Sequence, residues 1–154
     1  MIKISPEILK QCYAHGVTTY PEESCGMLSG KVEETGVVDA IHPMKNLMDQ
    51  YHAEDPKMFP RTNRNAYMID PREHMQLERA LKKQLRRIKV IYHSHPDVGT
   101  YFSAKDKDDA MWGEEPRYPD MHYLVCGIKN KQPDSAILVS FNPETRDFEI
   151  THLD

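Results

Sequence analysis

The order of apolar and polar positions assigns most of the chain to regular elements. Ser5-Pro6-Glu7 opens a helix, with Ser5 as cap, Pro6 at the first helical position and Glu7 on the positive end of the dipole. Ile8, Leu9, Cys12 and Tyr13 carry its apolar face, and it is expected to stop near Gly16. Met27-Leu28-Ser29-Gly30-Lys31-Val32 and Val37-Val38-Asp39-Ala40-Ile41 read as two strands of a hairpin, joined through Glu33-Glu34-Thr35-Gly36. Asp70-Pro71-Arg72-Glu73 starts a second helix, and Leu77, Leu81, Leu85 and Ile88 follow at helical spacing. Lys82, Lys83, Arg86 and Arg87 then fall on the solvated face of that helix.

Val90-Ile91-Tyr92 is β-branched and aromatic, the signature of a buried strand. Ser103 caps a third helix running through Ala110 and Met111. Tyr123-Leu124-Val125-Cys126-Gly127-Ile128 and Ala136-Ile137-Leu138-Val139-Ser140-Phe141 are further strands, and alternation from Asp147 to Leu153 closes the sheet. These elements predict an α/β fold: one domain over residues 1–154, a mixed and mostly antiparallel sheet flanked by helices. From about 46 to 65 no period is visible, and Pro56, Pro60 and many charges interrupt the stretch. It reads as a loop insert, either a functional lid or mobile segment or a disordered surface excursion.

Composition narrows the function classes. Net charge is −4 with both signs interspersed, which argues against a nucleic-acid partner held mainly by charge. Cys12, Cys25 and Cys126 are widely spaced and odd in number, so they form no disulfide framework and fit a reducing compartment. Cys25 reads as a buried small hydrophobe rather than a nucleophile. No apolar run reaches membrane-spanning length and Met1-Ile2-Lys3 opens no signal peptide, so the expected location is the cytoplasm.

The chemistry concentrates at Tyr92-His93-Ser94-His95-Pro96. Alternate strand residues share a face, so His93 and His95 project together and Ser94 points away. Two adjacent imidazoles at a strand end are a natural pair of metal ligands. Pro96 ends the strand and Gly99 lets the loop turn back. Ser103-Ala104-Lys105-Asp106 has the form of a capping box with Asp in the place of Glu or Gln. That Asp either closes the box or points into the pocket and completes a His-His-Asp set. Three protein ligands would leave a fourth position for water, the pattern of a catalytic zinc. A lone His-x-His would be incidental; joined to Ser-x-x-Asp on a new helix it favours a metal site.

His93-Ser94-His95-Pro96 with Ser103 and Asp106 resembles the JAMM motif of the MPN (Mov34/PAD-1) metallopeptidases. The family's remaining element, a Glu within Pro-x-Glu-x-Cys-Gly, is matched by Pro21-Glu22-Glu23-Ser24-Cys25-Gly26 and points to Glu23 rather than Glu22. The resemblance implies one catalytic zinc ion on His93, His95 and Asp106, with Glu23 as proton acceptor and Ser103 as oxyanion donor. It implies the MPN fold, which is cytidine-deaminase-like. It also implies hydrolysis at the C-terminal Gly-Gly tail of a ubiquitin-like or sulfur-carrier protein, including release of cysteine from a carrier. Phe102 stands where many members have Pro before the motif Ser. A non-catalytic MPN scaffold and a RadC-like DNA-associated protein are the competing readings. His15, His42, His52, His74, His122 and His152 match no motif position, and Trp112 reads as core.

Overall fold

The structure is a computed structural model and describes residues 1–153. In chain order its elements are α1 (Pro6–Thr19), β1 (Cys25–Lys31), β2 (Ala40–Met44), α2 (Met48–Glu54), α3 (Pro71–Lys83), β3 (Arg86–Pro96) and α4 (Ala104–Ala110). The short pair β4 (Met111–Trp112) and β5 (Glu115–Pro116) follows, then β6 (His122–Lys129), β7 (Gln132–Asn142) and β8 (Asp147–Leu153). Six strands form one sheet in the order β2-β1-β3-β6-β7-β8. Among the described residues of this sheet, the β3–β6 pair is parallel and the other neighbouring pairs are antiparallel. The expected mixed, mostly antiparallel sheet is therefore what forms.

Side-chain alternation along β3 divides the core in two. Val90 and Tyr92 lie on one face with Leu28, Leu124, Cys126 and Leu138, packed under Ile8, Leu9 and Cys12 of α1. Ile91 lies on the other with Met27, Tyr123, Val125, Ile137 and Val139, under Leu81 of α3 and Phe102 and Ala110 around α4. Each such fully buried side chain contributes about 1.5–3 kcal/mol. By the same alternation His93 and His95 belong to the second face. Gly26 is required by the first: a Cβ there would stand 2.5 Å from the Tyr92 ring.

Several local expectations are corrected. The first helix does not stop at Gly16 but continues to Thr19. A Cβ at Gly16 would lie 2.9 Å from Ile128 and 3.1 Å from Ser94, so this glycine serves helix–sheet contact. The second helix ends at Lys83, and Leu85 sits at φ 56 with 77% exposure in the turn. Ile88, Arg86 and Arg87 therefore belong to β3, and the four basic residues do not share one helix face. Arg86 pairs with Asp39 across the sheet edge.

The hairpin's second strand starts at Ala40, not Val37. The connection instead wraps the fully buried Lys89, whose Nζ donates to the carbonyls of Lys31, Glu34 and Val37 at 2.8, 2.5 and 2.7 Å. The stretch 46–65 is ordered and contains α2. It is held by side-chain hydrogen bonds, among them those of Asn46, Asn63, His52 and Asn65, rather than by an apolar period, which is why no element is visible there in the sequence. Trp112 is 69% exposed, not core. All three cysteines are free and buried. Among the described residues no helix is long and apolar enough to cross a membrane.

Candidate metal centre

His93 and His95 leave the end of β3 on one face, both buried, with their Nε2 atoms 3.2 Å apart. Asp106 reaches them from the first turn of α4: Oδ1 is 3.3 Å from His93 Nε2 and Oδ2 is 3.4 Å from His95 Nε2. Both outcomes expected for Asp106 occur at once. Its amide donates to Ser103 Oγ at 3.0 Å and its Oδ2 accepts the Ser103 N–H at 2.9 Å, so the capping box closes while the carboxylate faces the histidines.

Adjacent ligands on one tetrahedral ion with bonds near 2.0 Å stand about 3.3 Å from each other. The three side chains have that spacing. His95 Nδ1 lies 3.2 Å from the Gly99 carbonyl, which favours the proton on Nδ1 and turns the Nε2 lone pair toward the other ligands. Tyr67 stacks on His93, with ring centroids 4.6 Å apart at 26°, and Tyr101 lies edge-on to His95 at 5.0 Å. His93 Nδ1 is buried without a hydrogen-bond partner among the described residues.

Glu23 arrives on the segment between α1 and β1, where pairing of Cys25 with His93 sets its level against the histidines. Its carboxylate, His93 and His95 each offer an atom within 4.8 Å of the others, and this buried group can hold a metal ion. The histidines are thus common to two carboxylates. Asp106 is locked by its own helix cap at 3.3–3.4 Å from the histidines, and Glu23 joins the same buried cluster. Ser103 stands one helical turn before Asp106 and is half-buried. Its Oγ accepts the Asp106 amide, so its own proton is free to be donated elsewhere.

The electrostatics follow from burial and from these neighbours. Burial pushes the Glu23 carboxyl above its usual range, with His93 and His95 partly opposing it. Burial works the same way on Asp106, but His93, His95 and the Ser103 amide outweigh it and hold that carboxyl well below the usual range. For His93 burial alone would favour the neutral ring, and the Asp106 and Glu23 carboxylates reverse this and raise its pKa.

The structure brings His93, His95, Asp106 and Glu23 together, and Ser103 meets the group only through its reciprocal bonds with Asp106. The sequence reading missed what surrounds them. Asn46 Nδ2 donates to the Glu23 carbonyl at 3.1 Å, and the Glu23 amide donates to the Asn63 carbonyl at 2.7 Å. Tyr67 and Tyr101, which flank the histidines, belong to no motif. The asparagines had no signal beyond being turn-forming residues in an aperiodic stretch.

Two strand-end histidines, a capping aspartate and a distant glutamate thus form a buried group at the end of a mixed sheet that could hold a metal ion. The chain belongs to the Prok-JAB family, the prokaryotic homologs of the JAB domain, which it matches over residues 5–140. Among characterised proteins it resembles a desampylase of Haloferax volcanii, 31% identical over 106 residues, covering 69% of this chain and 63% of that protein. It also resembles a CysO-cysteine peptidase of Mycobacterium tuberculosis, 27% identical over 130 residues, covering 84% of this chain and 75% of that protein. The match thus spans less than two thirds of the desampylase's own length. A solution structure of a Desulfitobacterium hafniense protein shares the fold, with a TM-score of 0.65 at 20% identity, covering 100% of this chain and 90% of that one.

Proposed function

We propose that this protein is a zinc-dependent hydrolase that cleaves a peptide or isopeptide bond at the C-terminal Gly-Gly tail of a ubiquitin-like or sulfur-carrier protein. The observation that carries the reading is the 3.2–3.4 Å spacing of His93, His95 and Asp106, with the buried Glu23 carboxylate within 4.8 Å of both histidines. Two imidazoles and one carboxylate suit zinc. A bound zinc ion would supply a Lewis acid and bring the pKa of a water down to about 7.

The chain's own residues would do the rest. His93, His95 and Asp106 hold the ion. Glu23, kept basic by burial, takes a proton from the attacking water and returns it to the leaving amine, so hydroxyl goes to the acyl carbon and the proton to nitrogen. The free proton of Ser103 Oγ is available to the developing oxyanion. An extended Gly-Gly tail has no side chains to exclude it from a narrow approach and can bond through its backbone. The desampylase and CysO-cysteine peptidase resemblances support this substrate class and include release of a single cysteine among the reactions. Retention of all five motif residues in one constellation favours catalysis over a scaffold or a DNA-associated role. Three buried free thiols accord with a reducing, cytoplasmic setting.

The test is mass spectrometry of ubiquitin-like and sulfur-carrier proteins extended beyond Gly-Gly, incubated with the zinc-loaded protein, the chelated protein and Glu23→Gln. The expected result is loss of everything past Gly-Gly with the loaded wild type alone. Equal cleavage by Glu23→Gln would remove Glu23 from the role of base. Equal cleavage after complete chelation would end the metallopeptidase reading.

A further inference from the structure

The insert surrounds the backbone of one residue. The Glu23 amide donates to the Asn63 carbonyl at 2.7 Å and the Glu23 carbonyl accepts Asn46 Nδ2 at 3.1 Å. Both of the residue's main-chain groups are therefore bonded to this stretch. The two asparagines are themselves over-determined. Asn46 Oδ1 accepts the amides of Met48 and Met68, each at 3.0 Å, and its Nδ2 also donates to the Ala66 carbonyl at 2.9 Å. Asn63 and Asp49 exchange two bonds of 2.8 Å, and Asn63 Nδ2 donates to Glu22 Oε1 at 3.1 Å and to the Asn46 carbonyl at 3.2 Å. The Asn46 side chain thus ties the start of α2 to Glu23 and to the segment before α3, and the Asn63 side chain ties α2 to Glu22 while its main-chain carbonyl takes the Glu23 amide.

We propose that Asn46 and Asn63 are positioning residues, and that the insert 46–65 acts as a clamp setting the Glu23 carboxylate against the histidines of β3. The inference rests on the reading of Glu23 as the base. The physical need is specific. Glu23 precedes β1 and stands one residue beyond Ser24, whose main chain is still tied to Ser94 of β3, whereas His93 is paired with Cys25 and Val125, His95 with Gly127, and Asp106 is held by a helix cap. Ser24 anchors the chain on one side of Glu23 only; without a second anchor the carboxylate would sample positions farther from the histidines, and misplacement by about 1 Å costs on the order of 100-fold in rate. The insert supplies the second anchor with the Asn46 amide group and the Asn63 carbonyl, which hold the main chain of Glu23 without adding a charge at that residue. The clamp acts on geometry alone, since neither asparagine bonds to His93, His95 or Asp106.

Three variants separate the clamp from general stability. Asn46→Asp keeps the acceptor for Met48 and Met68 and removes the donor to Glu23; Asn46→Ala removes both; Asn63→Ala frees the Asn63 carbonyl from its side-chain anchors. In the metal-free proteins, amide exchange of Glu23 read by NMR should accelerate about tenfold or more, with Leu124 and Val125 in the sheet interior unchanged. In the cobalt-loaded proteins the visible absorption should match wild type. With a carrier protein extended past Gly-Gly as the probe substrate, kcat should fall about tenfold to 100-fold while KM stays within about twofold. Unchanged Glu23 exchange in all three variants overturns the clamp, as does faster exchange with wild-type kcat. Glu23→Gln is measured in parallel. If it turns over normally, the base assignment has failed, and the exchange arm alone decides whether the asparagines hold the segment. If it is inactive while the asparagine variants keep full kcat, the clamp alone has failed.

Discussion

Ser103 and Asp106 hold each other through two reciprocal bonds, Asp106 N to Ser103 Oγ at 3.0 Å and Ser103 N to Asp106 Oδ2 at 2.9 Å. That same Oδ2 stands 3.4 Å from His95 Nε2. The first turn of α4 is thus both a helix start and one wall of the centre, so changes at the two residues should separate stability, metal binding and turnover.

Ser103→Ala removes the cap acceptor and should cost about 0.5–2 kcal/mol of stability. If its proton serves the oxyanion, kcat should fall a further 100- to 1,000-fold, about 2.7–4 kcal/mol of barrier, with metal affinity near wild type. Asp106→Ala should instead weaken metal binding by about 100-fold or more, beyond the 10–100-fold typical of a partner that only orients a ligand. Chelator competition and urea titration of both variants distinguish the roles. Full metal affinity in Asp106→Ala would contradict its assignment as a ligand.

Lys89 is a structural cation. Replacing it with Met leaves the carbonyls of Lys31, Glu34 and Val37 without their shared donor in a buried turn. Orphaned buried groups cost about 1–3 kcal/mol each, so Lys89→Met should lose about 3 kcal/mol or more. Chemical denaturation measures this directly, and a loss below about 1 kcal/mol would mean that the connection finds other donors.

His15 shares a 2.7 Å hydrogen bond with the Tyr92 hydroxyl, and burial holds its imidazole below the ordinary value, as it does for His42 and His122. Below about pH 6.5 the unfolded chain protonates these rings while the folded chain leaves them neutral. The unfolded state then binds more protons, so stability falls as pH drops through that window. His15→Gln should flatten the fall by up to about 1.4 kcal/mol per pH unit, one proton's worth. Urea midpoints from pH 7.5 to 5 compare the slopes, and the metal-centre histidines cancel because both proteins retain them. Parallel slopes would show that His15 already protonates in the fold.

The thiols of Cys12 and Cys25 are pushed up to about 12 by burial, and that of Cys126 well above its usual value. Thiolate is the reactive form, so a thiol-directed disulfide reagent at pH 8 should leave the native protein unmodified and label all three after denaturation. Rapid labelling of one native cysteine would reveal an opening of the core around it.

Where a local rule suffices, the elements form as the sequence reads. Ser5 and Asp70 cap their helices through their own side chains, accepting from Ile8 and Arg72. The period-2 alternation of β3 places His93 and His95 together, and Ser103 with Asp106 closes its box within four residues. Each of these arrangements needs only neighbours within a turn or along one strand, so sequence alone determined them. The motif spacing also brought Glu23 into view, though only by family resemblance. Helical spacing misled at Leu85, because a turn at positive φ sends the chain into β3 while the apolar period continues by coincidence.

Tertiary structure decided the rest: the ordering of 46–65, the exposure of Trp112, the enclosure of Lys89 and the distance from Glu23 to the histidines. The insert is organised by asparagine amides bonded to backbone groups far along the chain, which leaves no hydrophobic period to read. A helix cap or a strand's alternation is written in adjacent residues. The approach of a connector to a sheet end depends on which distant carbonyl meets which amide, and that is settled only when the chain has folded.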